Sequence, residues 1–238
     1  RYPSRGWNAY HVVYQDAQKW LKEGIHDALF PMMYFQGNNF YPFALDWKEN
    51  NGNRWIIPGL GIYFLSPREQ DWPLDEIVRQ IHFTRQIKLN GQAYFRNRFL
   101  LDNTKGVLDE LKENFYTTPA LIPPMRWADS IPPSVPSTPS VQQLPNGKLR
   151  MSWQESTDNS NQAVVYHLYG SNTYPVDINQ SQNLVATHLI ANEYEYAAIF
   201  PWLQKQYFAV TAADRFGNES APLALNTVSD MDIPLLNK

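Results

Sequence analysis

A proline-rich segment divides this chain into two parts of different character. Residues 131–140 read Ile-Pro-Pro-Ser-Val-Pro-Ser-Thr-Pro-Ser, and proline favours an extended tether because it fixes φ and lacks a backbone donor. Residues 1–132 hold fifteen Lys and Arg against fourteen Asp and Glu, whereas residues 133–238 hold five against nine. We therefore predict one domain over residues 1–130, a linker over 131–140 and a second domain over 141–238.

The first part alternates between strand and helix patterns. The nearly continuous apolar run 28–35 and the run after Pro58, which ends at residue 65, are typical of strands buried on both faces, and a third strand is expected over 91–101. Helices are predicted over 9–23, after Pro73 and across 107–115. This order of elements predicts a parallel sheet.

In the second part, apolar and polar residues alternate along short segments, a pattern typical of strands. Six short segments that alternate apolar and polar residues are predicted as strands, over 148–153, 164–169, 184–190, 194–199, 206–213 and 223–228. Turn residues such as Pro145-Asn146-Gly147 lie between them. The spacing predicts an all-β sandwich.

This second part resembles a fibronectin type III domain over residues 133–230. The matching residues are Leu149-Arg150-Met151-Ser152-Trp153 for the second strand, Val165-Tyr166-His167-Leu168-Tyr169 for the third, and residues 207–220 for the sixth strand and its exit turn. The resemblance implies that Trp153 is a core residue. It also implies that Tyr207 is a tyrosine-corner residue with a structural role, its hydroxyl bonded to backbone.

The first part is similar to the C-terminal part of the glycoside-hydrolase-like family 10 barrel. The similarity lies in five stretches in order, at residues 16–24, 31–34, 59–63, 76–81 with Arg85, and 91–95. It implies that residues 5–128 are the C-terminal portion of a (β/α)8 TIM barrel, about three βα units. Because a full barrel needs about 250 residues, and because the chain starts at Arg1 without an initiator Met, we expect about five further units upstream.

The catalytic residues of such a barrel are not evident in this chain. Glycoside hydrolysis usually needs two carboxyl groups about 5–10 Å apart, which barrel enzymes place at the C-terminal ends of strands. The predicted strand ends at 34–39, 63–66 and 96–99 carry no acid. Four acids lie farther along the chain after the predicted strands: Asp46, Glu69, Asp71 and Asp102. Of these, Asp71 and Asp102 precede helices and fit helix-capping roles better than catalytic ones. The catalytic pair is therefore expected upstream.

Seven residues near the predicted strand ends are candidates for substrate binding. Polar side chains can bond to sugar hydroxyls, and aromatic rings can pack on the apolar face of a sugar. The candidates of these two kinds are Tyr34, Gln36, Asn38, Trp47, Tyr63, Arg96 and Arg98. We expect Trp47 on a loop. The alternatives are that the arginines pair with acids inside the barrel mouth and that the aromatic rings belong to the core.

Composition excludes several other classes of function. A net charge of −3 offers no basic surface for nucleic acid, and no apolar run is long enough to cross a membrane. There are no cysteines, and the five histidines are scattered without a zinc-binding pair. No nucleotide-binding glycine motif is present, so we expect no cofactor.

Two hypotheses of function follow. In the first, the chain is the C-terminal fragment of an exported glycoside hydrolase that acts on a polysaccharide or cell-wall glycan, and the fragment itself is inactive; the export is implied by the resemblance. In the second, it is a non-catalytic carbohydrate-binding or scaffold protein. A third structural possibility is a self-sufficient α/β domain, which needs something to cover the open edges of its sheet. Unless another chain or a terminal segment pairs with those edges, we expect the isolated fragment to self-associate through them.

Overall fold

A computed structural model describes residues 8–197 and 204–226 of the 238-residue chain. The chain forms two compact units, Arg1–Thr117 and Thr118–Lys238. The division falls earlier in the sequence than the linker predicted over 131–140. None of the helices in the described residues is both long and apolar enough to span a membrane.

The first unit contains short strands and six α-helices among its described residues. The helices are α1 Ala9–Val12, α2 Ala17–Lys22, α3 Tyr41–Glu49, α4 Leu74–Gln86, α5 Asn97–Leu101 and α6 Val107–Glu110. Single turns of 3₁₀ helix lie at Gly37–Asn39, Ile62–Leu65 and Thr104–Gly106, and a π-helical turn at Leu111–Phe115 continues α6.

The strands of the first unit pair in parallel, as the alternating pattern predicts. Strand β1 (Ala28–Leu29) pairs with β2 (Trp55–Ile56), and β3 (Gly59–Leu60) pairs with β4 (Ala93–Tyr94). A parallel bridge between Met32 and Gly59 continues the first pair. The strands are shorter than predicted, since Pro31 and Pro58 lack the N–H that a longer ladder needs.

Two predicted elements of this unit are interrupted. The helix expected over 9–23 is split in two, because Tyr14 has a left-handed φ of 57° and the Asp16 carboxylate caps α2 by accepting from the Lys19 N–H. The strand expected over 91–101 ends at Tyr94, and the chain enters α5 at Asn97. Helix α3 has no counterpart in the sequence prediction.

An apolar core holds the first unit together. Helix α4 begins directly after Pro73 and buries Ile77 and Ile81 completely or nearly so, as its apolar stripe predicts. These side chains pack with Leu60, Ile62 and other buried residues of β3 and the turn after it. The core therefore fixes the carboxyl ends of the parallel strands against α4.

The second unit consists of two antiparallel sheets. Its strands are β5 Ser137–Gln143, β6 Leu149–Gln154, β7 Val165–Ser171, β8 Leu184–Leu189, β9 Glu193–Tyr196, β10 Tyr207–Ala213 and β11 Leu223–Ala224. One sheet has the order β5-β6-β9 and the other the order β11-β10-β7-β8. The last residues of the strands predicted over 194–199 and 223–228 lie outside the described residues.

Strand β5 begins within the segment predicted as a linker and extends three residues beyond it. It pairs with β6 from Ser137 to Gln143, and the register shifts between Ser137 and Ser140, where Thr138 has a φ of 51°. The shift accommodates Pro139, which has no N–H for the ladder. A proline-rich stretch that suggested a tether is thus partly an edge strand.

Both sheets contribute side chains to one core. Met151 and Trp153 of β6 pack with Leu168 of β7 and Phe208 of β10, and all four are buried. Tyr207 is also buried, and its ring lies 5.5 Å from that of Tyr174. The backbone bond expected for its hydroxyl stays a prediction.

Candidate functional site

Three aromatic rings meet where the parallel strands end. Tyr34 follows β1, Tyr63 lies in the turn after β3, and Phe95 directly follows β4. The rings of Tyr34 and Phe95 are stacked with centroids 5.2 Å apart, and Tyr63 meets both of them edge-on, at 5.7 Å and 5.6 Å. We call these three residues the aromatic cluster. Phe95 is 46% exposed, so the cluster is accessible at the surface of the unit.

Two glycines make room for Tyr34. A Cβ atom on Gly59 would lie 3.1 Å from Cε1 of the Tyr34 ring, and one on Gly61 would lie 3.1 Å from Tyr34 Cβ. Both distances are shorter than ordinary van der Waals contact between carbons. The sequence Gly59-Leu60-Gly61 therefore lets Tyr34 lie directly over β3, within reach of Tyr63 and Phe95.

A charged pair borders the aromatic cluster. The Arg96 guanidinium lies 5.9 Å from the centre of the Tyr63 ring and 5.5 Å from that of Phe99, distances at which cation–π attraction operates. Its Nη2 also lies 3.5 Å from Oε1 of Glu69. Since the Arg96 side chain is 54% exposed, the guanidinium retains donors for an external acceptor.

The two phenols of the cluster stay neutral at physiological pH. Burial raises the pKa of Tyr34 above its ordinary value, and the neighbouring Tyr63 adds to that effect. Burial likewise raises the pKa of Tyr63, as does Glu69, while Arg96 opposes the shift. Neutral phenols both donate and accept hydrogen bonds, which is what recognition of hydroxyl groups requires.

The other predicted binding residues lie outside this cluster. Gln36 and Asn38 are exposed at the 3₁₀ turn after Tyr34. Trp47 lies in α3 and packs against the core of the unit, so the prediction that it lies on a loop is wrong. Arg98 lies in α5 and forms an ion pair with Asp102 at 3.2 Å. The structure thus brings together Tyr34, Tyr63 and Arg96 of the seven candidates.

The acids near the strand ends are engaged elsewhere, with the exception of Glu69. Asp46 accepts from Gln18 at 3.0 Å, and Asp71 accepts from Lys105 at 2.6 Å rather than capping α4. Asp102 is the partner of Arg98. In residues 8–117, Glu69 is the one carboxylate that forms an ion pair or hydrogen bond with a member of the aromatic cluster or with Arg96. A pair of carboxylates flanking this surface is not found in that range.

Sequence reasoning missed two features that shape this surface. Phe95 lies in one of the stretches that carry the family resemblance but is not among the seven candidates, although its place at the end of the third strand is the same signal that indicates Tyr34. Glu76 is only 7% exposed in α4 and accepts from Tyr41 at 3.2 Å and from Gln80 at 2.9 Å. Gln80 in turn donates to the Phe35 carbonyl at 3.0 Å, which ties the backbone beside Tyr34 to α4.

Comparison with known proteins finds a similarity to a protein named as a glycosyl hydrolase. No family model matches the chain. The chain is 29% identical over 226 residues to a protein of Bacillus subtilis (strain 168) named glycosyl hydrolase YngK, and the match covers 90% of this chain and 44% of that protein. The chain therefore spans less than half the length of this relative. The similarity supports a glycoside-hydrolase-like relationship.

Proposed function

We propose that this chain is the C-terminal part of an exported glycoside-hydrolase-like protein whose first unit supplies one wall of a carbohydrate-binding cleft. The observation that carries the proposal is the aromatic cluster of Tyr34, Tyr63 and Phe95 with Arg96 at the ends of the parallel strands. In (β/α) barrels this end of the strands is where substrates bind. The relative named glycosyl hydrolase agrees with a carbohydrate ligand.

The chemistry of the surface suits a sugar. An exposed ring such as Phe95 offers a flat apolar face to the C–H side of a pyranose, and the neutral phenols and the guanidinium offer donors to its hydroxyls. Gln36 and Asn38, exposed on the turn after Tyr34, extend the polar rim. Among the described residues of this surface, the Arg96 charge is offset by Glu69, so the surface does not favour a phosphate backbone.

Catalysis is proposed to depend on acids outside this chain. Hydrolysis needs a carboxyl group to protonate the leaving oxygen and a second carboxylate to attack the sugar or activate water. Glu69 is held by Arg96, and a single carboxylate cannot fill both roles. Because the chain matches 44% of its relative, we infer that the acids lie on other strands of a TIM barrel to which residues 5–128 contribute about three units. The chain alone is then inactive.

We also propose that the second unit is a fibronectin type III-like sandwich. Its support is the strand order β5-β6-β9 and β11-β10-β7-β8, with Trp153 and Tyr166 in the shared core. Sandwich domains of this type commonly serve as spacers beside catalytic domains, and we assign this unit that role. Export is inferred from the pairing of such a domain with a hydrolase-like unit.

The rival function is non-catalytic carbohydrate binding. The observation that favours it is that, in the described part of the first unit, no second carboxylate joins Glu69 at the aromatic cluster. Assays of the longer natural protein decide between the two. Release of reducing sugar by that protein, and not by residues 1–238, supports the hydrolase; tight binding without release supports the binding protein.

Two arginines provide a matched test of the binding surface. We expect Arg96→Ala to weaken binding to the recognised polysaccharide about tenfold, about 1.4 kcal/mol, because it removes the guanidinium beside Tyr63. Arg98→Ala serves as the control, since Arg98 is exposed and pairs with Asp102, and in residues 8–117 it makes no ion pair or ring contact with the aromatic cluster. Affinity electrophoresis against a panel of soluble glucans, xylans and peptidoglycan fragments measures both. Equal losses for the two variants, or binding that neither variant changes, would contradict the proposed surface.

A further inference from the structure

Three aspartates converge in the second unit. Asp129 lies in the segment before β5, Asp158 in the loop between β6 and β7, and Asp214 immediately after β10. One carboxylate oxygen from each residue lies within 4.8 Å of the other two. Since the three residues come from separate segments, their convergence is a product of the tertiary fold.

Asp158 has an oxygen that the protein leaves unsatisfied. The residue is 8% exposed, and its Oδ2 accepts from the Ser160 N–H at 2.9 Å and from the Ser160 hydroxyl. Its Oδ1 is buried and has no hydrogen-bond partner in the described part of the chain. Burying a carboxylate oxygen without a partner is costly. Because Asp158 Oδ1 is buried and no donor in the described part of the chain reaches it, it points to a ligand that is not a protein donor.

The charges of the three carboxylates are not balanced by a basic side chain. Within residues 8–197 and 204–226, no Lys, Arg or His lies within ion-pair distance of Asp129, Asp158 or Asp214. Backbone donors nevertheless hold two of them in place: Ile131 N–H bonds Asp129 Oδ1 at 2.9 Å, and Phe216 N–H bonds Asp214 Oδ1 at 2.8 Å. Like charges held this closely repel one another, and two of the three aspartates are buried.

We propose that Asp129, Asp158 and Asp214 bind a divalent cation of the calcium class. Carboxylate oxygens are the ligands that hard cations prefer, whereas zinc sites usually include imidazole or thiolate. Two oxygens bound to the same Ca²⁺ at about 2.3–2.6 Å lie no more than about 5 Å apart, so three oxygens within 4.8 Å of one another can share one Ca²⁺. Mg²⁺ demands near-ideal octahedral geometry and gives up its water reluctantly, which disfavours it at a site built from three separate segments. The cation occupies the position that satisfies Asp158 Oδ1, and water completes its coordination shell.

The bound cation ties together three segments of the second unit. It joins the chain that enters the unit at Asp129 to the loop between β6 and β7 and to the turn after β10. Asn218 already links two of these segments, because its Nδ2 donates to the Asp129 carbonyl at 3.0 Å and to Asp214 Oδ2 at 2.8 Å. The cation therefore acts as a structural clamp on the entry to the sandwich, a role separate from carbohydrate binding in the first unit.

Calorimetric titration tests the site directly. The full chain is stripped with a chelator and titrated with CaCl₂ alone, and we expect one site with a dissociation constant on the order of 10⁻⁴ to 10⁻³ M, typical of extracellular calcium modules. Saturating Ca²⁺ raises the melting temperature of the second unit, and Mg²⁺ raises it less. No heat of binding and no rise in melting temperature at about ten times that concentration of Ca²⁺ would overturn the proposal, as would tighter binding of Mg²⁺.

Asp158→Asn provides the decisive variant. The amide keeps an acceptor for Ser160 and removes the unbalanced charge, so we expect calcium binding to fall at least tenfold while the melting temperature in chelator stays equal to or above that of the parent chain. Asp177→Asn is the matched control, because Asp177 is an exposed aspartate of the same unit that lies outside the cluster. A Ca²⁺ response that Asp158→Asn retains in full would show that the cation binds elsewhere.

Discussion

The Tyr34 and Phe95 rings stack with their planes 16° apart, although the two residues follow different strands. Strand β3 pairs with β4, and its first residue, Gly59, bridges to Met32 in the segment that leads from β1 to Tyr34. Gly61 directly follows β3. Without side chains there, the two outer rings close over β3 and touch. The aromatic cluster is therefore a single surface across three strand ends, and its integrity depends on the glycines beneath it.

Gly61→Ala is expected to disrupt this surface. The new Cβ would lie 3.1 Å from Tyr34 Cβ and 3.2 Å from Phe64 Cδ2, so Tyr34 must move. We expect a loss of about 1–2 kcal/mol in the free energy of unfolding, as in other overpacked sites, together with weaker polysaccharide binding. Urea unfolding followed by tryptophan fluorescence gives the first quantity, and affinity electrophoresis the second.

Gly91→Ala is the control for that substitution. The nearest side-chain atom to a Cβ on Gly91 is Ile57 Cγ2 at 3.9 Å, an ordinary van der Waals contact. The control should change stability by no more than about 0.5 kcal/mol. If the two alanine variants were equally stable and bound sugar equally well, the glycines would not be what positions Tyr34.

Glu76→Ala is expected to destabilise the first unit. Glu76 is buried and accepts hydrogen bonds from Tyr41 and Gln80, so its removal leaves both donors without that acceptor. The expected cost is about 2–3 kcal/mol, measured by urea unfolding. Asp75→Ala changes the neighbouring acid, which is exposed, and should cost less than about 0.5 kcal/mol. A similar loss of unfolding free energy for both variants would mean that stability depends on charge in the first turn of α4 and not on the buried hydrogen bonds of Glu76.

Parallel pairing in the first unit was predictable, but the extent of its strands was not. The apolar run 28–35 and the run after Pro58 indicate strands buried on both faces, and β1, β2 and β3 lie in or beside them. Where a strand ends depends on local backbone chemistry: the chain leaves β4 after Tyr94 and forms α5 at Asn97. That helix carries Arg98 toward Asp102, so two arginines only two residues apart have different partners.

Convergence of side chains from distant loops was beyond the reach of sequence patterns. Tyr34, Tyr63 and Arg96 were predictable because the carboxyl ends of neighbouring parallel strands meet at one edge. Asp129, Asp158 and Asp214 follow no such rule, because each lies outside the strands. The loops that carry them have no repeating pattern of apolar residues from which their positions could be predicted. Trp47 was misplaced because helix α3 contains Tyr41, Pro42 and Phe43, which do not form a simple amphipathic repeat.

Stability of the second unit is expected to fall below about pH 6.5 through His167. Burial lowers the pKa of His167 from its ordinary value, and His188, 5.3 Å away ring to ring, acts in the same direction while Glu219 opposes both. The unfolded chain then binds the proton more readily than the folded chain, so the stabilisation present above about pH 6.5 is lost as pH falls toward the folded pKa. Urea unfolding at pH 7.5 and 5.5 measures this loss.

His167→Gln isolates that contribution. Other groups also titrate between these pH values, but they do so in both chains, so the decrease in stability on acidification should be smaller in the variant. His26→Gln is the control, because His26 is an exposed histidine of the first unit. An identical decrease in the parent chain and in His167→Gln would contradict the assignment.

Tyr169→Phe is expected to loosen a polar network between β7 and the turn after β10. The Tyr169 hydroxyl donates to Glu219 Oε1 at 2.7 Å, and Thr211 donates to the same oxygen at 2.5 Å. Burial and Glu219 raise the pKa of Tyr169, so the phenol remains a donor throughout the usable pH range. We expect a loss of about 1–2 kcal/mol in thermal or urea unfolding. Tyr174→Phe, at an exposed tyrosine, should be nearly neutral; a neutral Tyr169→Phe would show that Glu219 is satisfied without it.

The irregular strand at the border of the three-stranded sheet also governs how copies of this protein behave toward one another. A regular border strand presents a row of free N–H and C=O groups on which a second molecule can grow the sheet. Here the register shift between Ser137 and Ser140 interrupts the regular row, with Thr138 at a φ of 51° and Pro139 without an N–H. A neighbouring chain therefore cannot continue the ladder past this point. At high protein concentration, this edge strand thus protects the molecules from polymerising through the sheet.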